Sequence, residues 1–413
     1  MNLSRSTLYY YALPAFSLAM LGLPLYIYLP TFYTQDLGLS ALEVGIVLFI
    51  ARSFDIAFDP LIGSLSDRFS GRKLMMFIGI IILLLGFYAL SYPMKSWMWL
   101  LGFSFITYSG WSLISIPYLA LSAELSKDYH DNTRLASTRE LFTIVGLICA
   151  LVLPYSLDIA QDAQSTIRLM LILVSISLPL LFFFFFKNIQ EPLHTSKPLN
   201  FLNGLSFLWK QTPDARSLFI AFFTNSLANA LPATLFLFFV SLVLNTPEQT
   251  GSFLLLYFFS GLLALPLWLH LAKSFGKKRT WISSMILASC AFIFVPFLQS
   301  DDTFYFMIIT FISGISLGAD MALPAAIQAD ISQKLEKKGQ KLTGVLFGFW
   351  AMLTKLSLAL AVGIAFGILG LVGFDPKLPT SNALNTLSLL YGLAPVIFKT
   401  ISIFFICKYK DHL

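Results

Sequence analysis

Charged residues are scarce in this chain. They make up 12% of its 413 residues, whereas ordinary soluble domains carry roughly 25%. Hydrophobic residues make up 57% and the mean hydropathy is +0.79. The composition therefore excludes an ordinary soluble domain and predicts a polytopic membrane protein. The formal net charge of +6 does not indicate nucleic-acid binding, because the basic residues lie in short loops between apolar runs, where they act as topology signals.

Cysteine is also rare, and recognisable catalytic patterns are missing. Cys149, Cys290 and Cys407 lie far apart in apolar stretches, so we expect apolar side chains rather than metal ligands. The sequence shows no nucleophile–base pairing, phosphate-binding loop or metal-ligand cluster, so we expect a protein that is not an enzyme and needs no cofactor. No signal-peptide pattern precedes the first apolar run, and we expect no removed leader.

Long apolar runs dominate the chain. About twelve occur, near residues 8–33, 41–66, 73–93, 97–124, 138–159, 166–188, 214–244, 249–273, 279–299, 303–331, 341–370 and 383–408. Because roughly 20 apolar residues cross a bilayer as a helix, the expected fold class is an all-α membrane protein with about twelve transmembrane helices.

Basic residues concentrate in alternate loops between these runs. They are Arg68, Arg72, Lys73, Lys127, Arg134, Lys187, Lys197, Lys210, Lys273, Lys277, Lys278, Arg279, Lys334, Lys337, Lys338 and Lys341. The opposite loops hold little beyond Lys95, Arg168 and Lys377. Since cytoplasmic loops carry the excess of lysine and arginine, this asymmetry predicts that both termini are cytoplasmic.

A longer, more polar connection near 188–213 separates the runs into six and six. We therefore expect an N-terminal six-helix bundle at 1–190, a cytoplasmic linker at 191–213 and a C-terminal six-helix bundle at 214–413. An internal echo supports this division, because Asp67–Lys73 resembles Ala272–Lys278 at an offset of 205 residues. Two six-helix halves related by a parallel repeat, with a site near the midplane between them, are the architecture of the major facilitator superfamily.

Asp55 and Asp59 stand four apart in the second apolar run, so on a helix they share one face. An ionised carboxylate at that depth costs about 2.5–3.5 kcal/mol on insertion scales, and two neighbouring ones repel each other. Arg52, protons or a metal cation such as Na+ could neutralise the pair, which indicates an ion-handling site. The structural alternative is a salt bridge to Arg52, which would leave the second carboxylate without a counter-charge.

Several segments resemble the glycoside–pentoside–hexuronide cation symporters, the melibiose-carrier branch of the superfamily. They are Ala51–Asp55, Asp59–Gly63, Ile116–Leu121 followed by Glu124, Arg139, and Gly344–Trp350 leading to Lys355. The resemblance implies that Asp55 and Asp59 bind the coupling cation with help from a helix-4 hydroxyl near Ser112. It also implies that Lys355 lies beside the substrate cavity.

The chain departs from this family at four positions. Where melibiose carriers place sugar-binding carboxylates it has Ala19 and Ser115, and where they place a sugar-stacking indole it has Leu119. An amide beside the second cation carboxylate is replaced by Phe58. The resemblance therefore implies coupling machinery without the sugar clamp, a combination that is similar to the animal lysophospholipid symporters of the same family.

Other residues are candidates for substrate contact and gating. Lys355, Arg139, Asp320, Tyr26 and Trp350 are assigned to substrate contact or coupling. Lys355 could instead snorkel to an interface, Arg139 and Asp320 could pair between the halves, and single aromatic residues are more often packing. A second set is assigned to salt bridges and gating: Arg52, Asp67, Arg68, Gly71, Arg72 and Glu124. A role at the membrane surface is the alternative for the loop residues.

These features predict a secondary active transporter that couples symport of a small organic solute, such as a sugar, to H+ or Na+ by alternating access. Protons are the favoured ion, because Na+ needs several oxygen ligands and Phe58 removes one. A proton needs only one carboxylate in apolar surroundings beside a like charge. A lysophospholipid or other amphipathic-solute transporter, a proton-coupled exporter, and a scramblase or channel remain alternatives.

The expected partners are the lipid bilayer and a small-molecule substrate, without nucleic acid. We expect a monomer in the plasma membrane, which would be the inner membrane of a bacterium.

Overall fold

The computed structural model describes residues 4–23, 25, 28–68, 71–126, 128–159, 162–192, 206–210, 212–338, 340, 342–374 and 380–409. Every regular element within these residues is helical, and twelve of the helices are 16 residues or longer. They are α1 (Arg5–Leu23), α2 (Ala41–Arg68), α3 (Arg72–Ser91), α4 (Trp97–Leu125), α5 (Tyr129–Ser156), α6 (Ala163–Asn188), α7 (Pro213–Phe238), α8 (Thr250–Phe275), α9 (Lys277–Phe292), α10 (Thr303–Lys337), α11 (Thr343–Leu371) and α12 (Ser381–Lys408).

Ten helical segments of the described chain, which contain α3 to α12, are long and apolar enough to cross a membrane. The other two long helices are not among these ten. Helix α1 begins with Arg5 and contains three consecutive tyrosines, whereas α2 carries Arg52, Asp55 and Asp59 along its length. The expectation of an all-helical membrane protein is therefore confirmed, and the count of twelve spans stays a prediction.

Two short π-helical segments recur at similar places in the two halves of the sequence. Phe32–Asp36 directly follows the short helical turn Leu29–Thr31, and Phe239–Val243 directly continues α7. Their offset of 207 residues is close to the 205-residue offset of the loop echo. A π-helical turn is rare and often found at functional positions, so its recurrence is a second internal similarity between the halves.

Local capping explains where several helices begin. Ser40 and Glu43 form a capping box at the start of α2: Glu43 N donates to Ser40 Oγ at 3.2 Å, and Ser40 N donates to Glu43 Oε2 at 3.0 Å. Asp128 accepts hydrogen bonds from the backbone N–H groups of His130 and Asp131 at the start of α5. These carboxylates and hydroxyls satisfy N–H groups that have no partner within the helix.

The chain forms two compact units. The first unit holds the described residues up to 192 together with Ala329–Met352, and the second holds Ser206–Gln328 and the described residues from 353 onward. Helices α10 and α11 therefore contribute residues to both units. The predicted linker at 191–213 lies largely outside the described residues, and the predicted division into halves at that linker stays a prediction.

Glycines allow close helix packing inside each unit. In the first unit, a Cβ on Gly110 of α4 would lie 2.7 Å from Leu83 Cα of α3, which is closer than real Cβ contacts. In the second unit, a Cβ on Gly318 of α10 would lie 2.9 Å from the carbonyl oxygen of Gly261 on α8. Small residues at these crossings let backbones approach each other, as is common between membrane helices.

Within the first unit, the start of α11 packs tightly against α2. A Cβ added to Gly63 would clash with the carbonyl oxygen of Gly344 and would lie 3.1 Å from Gly348 Cα. Beside this crossing, Phe347 packs on Ala120 and Ala123 of α4. The Gly63 crossing thus has no room for a side chain, and α2 and α11 meet there backbone to backbone.

Gly63→Ala tests this crossing, with Gly45→Ala on the same helix as the matched control. Gly63→Ala should lower the melting temperature in detergent, because overpacking a tight contact costs about 1–3 kcal/mol. Gly45 has nothing within 4 Å of an added Cβ, so Gly45→Ala should be neutral or stabilising by about 0.5–1 kcal/mol from helix propensity. Equal melting temperatures for the two variants would contradict the close crossing.

Candidate functional site

Asp55 and Asp59 lie on one face of α2, as their spacing predicts. Their exposed fractions are 8% and 0%, so both carboxylates are removed from bulk solvent. The neighbouring turns of α2 are mostly apolar. A buried carboxylate pair of this kind requires local neutralisation, because the attraction or repulsion of charges grows as the dielectric constant falls.

Ser112 of α4 joins the two carboxylates. Its hydroxyl oxygen lies 3.1 Å from Asp55 Oδ1 and 2.7 Å from Asp59 Oδ1, and the Ser112 side chain is fully buried. A serine hydroxyl has one proton to donate and lone pairs that accept. It can donate to one carboxylate while accepting a proton from the other if that carboxyl group is protonated. Three oxygen-bearing side chains thus meet at one point of the first unit.

Arg52 and Phe58 flank the pair on α2. The Arg52 guanidinium lies 5.3 Å from the ring centroid of Tyr108, in the range of a cation–π contact. The Phe58 ring packs with Phe54 and Phe105, with centroid distances of 5.9 and 6.2 Å. Residue 58 therefore takes part in an aromatic cluster and supplies no oxygen ligand.

A second group of charges, here called the Arg72 cluster, gathers Asp67, Arg72 and Glu124 inside the first unit. Arg72 is 1% exposed and donates from Nε to Glu124 Oε2 at 3.0 Å and from Nη2 to Glu124 Oε1 at 2.6 Å. Nη2 also lies 2.9 Å from Asp67 Oδ1, and Nη1 donates to Ser66. Two-point guanidinium–carboxylate pairs are among the stronger polar contacts in proteins.

Asp67 also caps the N-terminus of α11. Its Oδ1 accepts from Gly344 N at 2.7 Å and its Oδ2 accepts from Val345 N at 3.0 Å. A carboxylate at a helix N-terminus satisfies N–H groups that lack a partner within the helix and interacts favourably with the helix dipole. Asp67 therefore holds the start of α11 and the Arg72 guanidinium at the same time.

Arg68 and Gly71 are the two other loop residues assigned to gating. Arg68 ends α2 and is exposed. Gly71 precedes α3 with φ −143°, and a Cβ there would make only an ordinary 3.6 Å contact to Leu74. The structure therefore brings Asp67, Arg72 and Glu124 together and places no steric demand for glycine at position 71.

Arg139 pairs with its neighbour in sequence, Glu140, on α5. Arg139 Nε donates to Glu140 Oε1 at 3.0 Å and Nη2 donates to the same oxygen. Their exposed fractions are 7% and 5%. Near them, Tyr118 donates to the backbone oxygen of Tyr11 at 2.6 Å, which joins α4 to α1. The guanidinium thus has an acidic partner in its own unit that sequence reasoning did not name.

Asp320 belongs to a buried network in the second unit that joins four helices. Its Oδ2 accepts from Lys399 Nζ at 2.8 Å and from Asn229 Nδ2 at 3.1 Å, and its Oδ1 accepts from Trp281 Nε1 at 3.0 Å. Lys399 Nζ also donates to Asn225 Oδ1 at 2.9 Å. The network connects α7, α9, α10 and α12, so these contacts of Asp320 lie within one unit.

The remaining candidates for substrate contact are Lys355, Trp350 and Tyr26. Lys355 is partly buried on the second-unit part of α11, and Trp350, which is 7% exposed, lies on the first-unit part of the same helix. Tyr26 lies outside the described residues.

Sequence reasoning missed several partners. Lys355 is a candidate because it is a lysine inside an apolar run, and Lys399 meets the same criterion. Glu140 is not expected to pair with Arg139, because adjacent residues on a helix do not normally face each other. Gln333, whose amide donates to the carbonyl oxygens of Ala123 and Ser126 and to Asn132, carries no sequence signal for these contacts.

Comparisons with known proteins agree on the class of protein. A family model described as MFS/sugar transport protein matches residues 10–410. The inner membrane symporter YicJ of Escherichia coli (strain K12) is 25% identical over 397 residues, covering 90% of this chain and 84% of that protein. The sodium-dependent lysophosphatidylcholine symporter 1-A of Danio rerio is 22% identical over 426 residues, covering 91% of this chain and 80% of that protein.

Among solved structures, the major facilitator superfamily transporter FucP in its outward conformation has a TM-score of 0.72 at 14% identity, covering 99% of this chain and 100% of that chain. At this identity the likeness shows the fold alone. Family and fold are those of membrane transporters.

The Asp320–Lys399 pair provides a test of the second-unit network. Lys399→Met should lower the melting temperature in detergent, because removing one partner of a buried ion pair costs about 3–5 kcal/mol. The double variant Asp320→Asn, Lys399→Met should recover much of that loss, since no buried charge is left alone. Lys408→Met is the matched control, because Lys408 is exposed at the end of the same helix. Strictly additive losses in the double variant would contradict the pairing.

Proposed function

The chain belongs to the MFS/sugar transport protein family, and from that premise we propose that it is a cation-coupled symporter of a small organic solute. Transport proceeds by alternating access, as in other carriers built from two repeated halves. The observation that carries the proposal is the buried pair of carboxylates on α2 with one serine hydroxyl between them. Cation binding there favours solute binding, and the solute in turn tightens cation binding by the same factor.

The proton is the proposed coupling ion. Asp55, Asp59 and Ser112 present oxygens at 2.7 and 3.1 Å from the hydroxyl, and one added proton completes a chain of hydrogen bonds between the two carboxyl groups. Sodium requires more oxygen ligands than this, and the Phe58 ring is engaged with other aromatic rings.

The Arg72 cluster is proposed as part of the cytoplasmic gate. Asp67 contacts both Arg72 and the backbone N–H groups at the start of α11, so opening at this end must replace these charge-assisted hydrogen bonds. The gate is cytoplasmic in the predicted topology, which has twelve spans and both termini in the cytoplasm, and this topology is part of the proposal. A monomer in the bacterial inner membrane is also proposed, and the location agrees with the name of the E. coli relative, an inner membrane symporter.

An amphipathic solute is the second candidate substrate. At Ala19, where melibiose carriers place a sugar-binding carboxylate, the side chain is buried and lies 3.0 Å from where a Cβ on Gly146 would stand. The alanine side chain itself offers no polar group that could hydrogen-bond a sugar hydroxyl. The Danio rerio relative is named for lysophosphatidylcholine and for sodium, which supports both an amphipathic solute and sodium as the alternatives to a sugar and a proton.

Asp59→Asn tests the role of the carboxylate pair. The amide cannot release or accept the coupling proton, so cation-driven accumulation should fall to background while solute exchange or binding persists. The measurement is solute uptake into reconstituted vesicles, beside exchange without a gradient. Glu43→Gln is the matched control, because Glu43 is exposed on the same helix and glutamine also suits a capping box. Full accumulation by the Asp59 variant would remove the pair from the mechanism.

Imposed gradients distinguish the two ions. Uptake into vesicles should follow a pH gradient in the absence of sodium, and a sodium gradient at uniform pH should produce none. The physical reason is that three side-chain oxygens suit a proton better than a hard cation with several ligands. Uptake under a sodium gradient alone would refute the proton assignment and leave the symport proposal intact.

A further inference from the structure

The short segment after α6 carries a carboxylate that caps the start of α3. Glu191 follows α6, and its Oε1 accepts from Arg72 N at 2.6 Å while its Oε2 accepts from Lys73 N at 3.4 Å. Glu191 and Arg72 are 119 residues apart in sequence. Gly71, which directly precedes α3, has no side chain to cap the helix. Glu191 therefore supplies the anionic cap that the local sequence of α3 lacks.

The segment that carries Glu191 is fixed at further points. Ile189 is 1% exposed and belongs to the hydrophobic core of the first unit, and its N–H donates to Phe185 O at 2.9 Å. In the opposite direction, Lys73 Nζ donates to Phe186 O at 2.9 Å. The end of α6 and the start of α3 thus satisfy each other's terminal backbone groups, so the position of Glu191 is determined by the fold.

Arg72 is the residue at which this cap and the Arg72 cluster meet. Its backbone N–H is held by Glu191, and its guanidinium holds Asp67 and Glu124. The first turn of α3 determines where the guanidinium emerges, because the side chain is anchored to the backbone atoms that Glu191 binds. A shift of that turn would change the 2.6 to 3.0 Å contacts to both acids, and hydrogen bonds weaken steeply with distance and angle.

We propose that Glu191 is a positioning residue of the gate: it couples the short segment after α6 (residues 189–192) to the Arg72 cluster by fixing the backbone from which the guanidinium reaches Asp67 and Glu124. The inference rests on the gating role given above to the Arg72 cluster. In this assignment the segment after α6 takes part in the transport cycle. Its displacement releases the cap on α3, shifts Arg72, and so weakens the contacts that keep Asp67 on the start of α11.

The first test measures opening directly. Ala120 is fully buried and packs with Phe347 and Ala329, so Ala120→Cys in a chain without the three native cysteines reports separation of these residues through its maleimide labelling rate. Glu191→Ala should raise that rate about tenfold, the equivalent of losing one hydrogen bond to a charged group. Glu191→Gln, which keeps an acceptor but loses the charge, should give an intermediate rate. Gln190→Ala, in the exposed neighbour, should leave the rate unchanged.

A double-mutant cycle separates positioning from simple capping. Asp67→Asn and Glu191→Ala are measured singly and together, with both labelling rate and melting temperature as readouts. If Glu191 acts through Arg72, its substitution should have little further effect in the Asp67→Asn background. Additive effects, or an unchanged labelling rate in Glu191→Ala with a lowered melting temperature, would overturn the proposal and leave only a helix cap.

Both measurements are made without solute or ion gradient. A failure of proton-coupled symport would therefore leave their outcome unaffected, whereas a failure here would leave the role of Asp55 and Asp59 unaffected.

Discussion

A charge buried away from water must find its counter-charge or hydrogen bonds within a few ångströms, and this constraint organises the polar structure of the chain. Three arrangements among the described residues illustrate it. At Arg72, one guanidinium serves two acids. At Asp320, one acid is surrounded by an ammonium, an amide and an indole. At Asp55 and Asp59, two acids share a single hydroxyl. The first two arrangements join opposite charges directly, and the third brings two carboxylates to the same hydroxyl.

The third arrangement is the one proposed to bind the coupling cation. Asp320 accepts hydrogen bonds from groups on three other helices, so its contacts hold the helices of the second unit together. The α2 pair gains from an added positive charge, since a proton or cation converts repulsion into hydrogen bonding or coordination. A transporter requires a site that changes its occupancy during the cycle, and of these three arrangements the α2 pair fits that requirement best.

The sequence was sufficient for features that depend on regular geometry. An i, i+4 spacing on a helix places Asp55 and Asp59 on one face whatever the tertiary fold, and apolar runs longer than a bilayer determine the helical class. The Ser112 contact also agrees with the residues that resemble the melibiose carriers. Contacts between distant residues were less predictable. Asn225 meets Lys399 only because α7 packs beside α12, and Glu191 reaches Arg72 only because α6 ends beside α3.

One helix carries several of the features described above at regular intervals. Asp55, Asp59, Gly63 and Asp67 follow one another every four residues along α2, and therefore lie on a single stripe about 18 Å long. The stripe begins with the carboxylate pair, continues through the glycine that touches α11 backbone to backbone, and ends with the cap on the first N–H groups of α11. Pro60 lies within this stretch, and a proline inside a helix removes a backbone hydrogen bond and favours a bend there. In the proposed mechanism, the occupancy of the carboxylate pair and the position of the start of α11 are linked through this one stretch of helix.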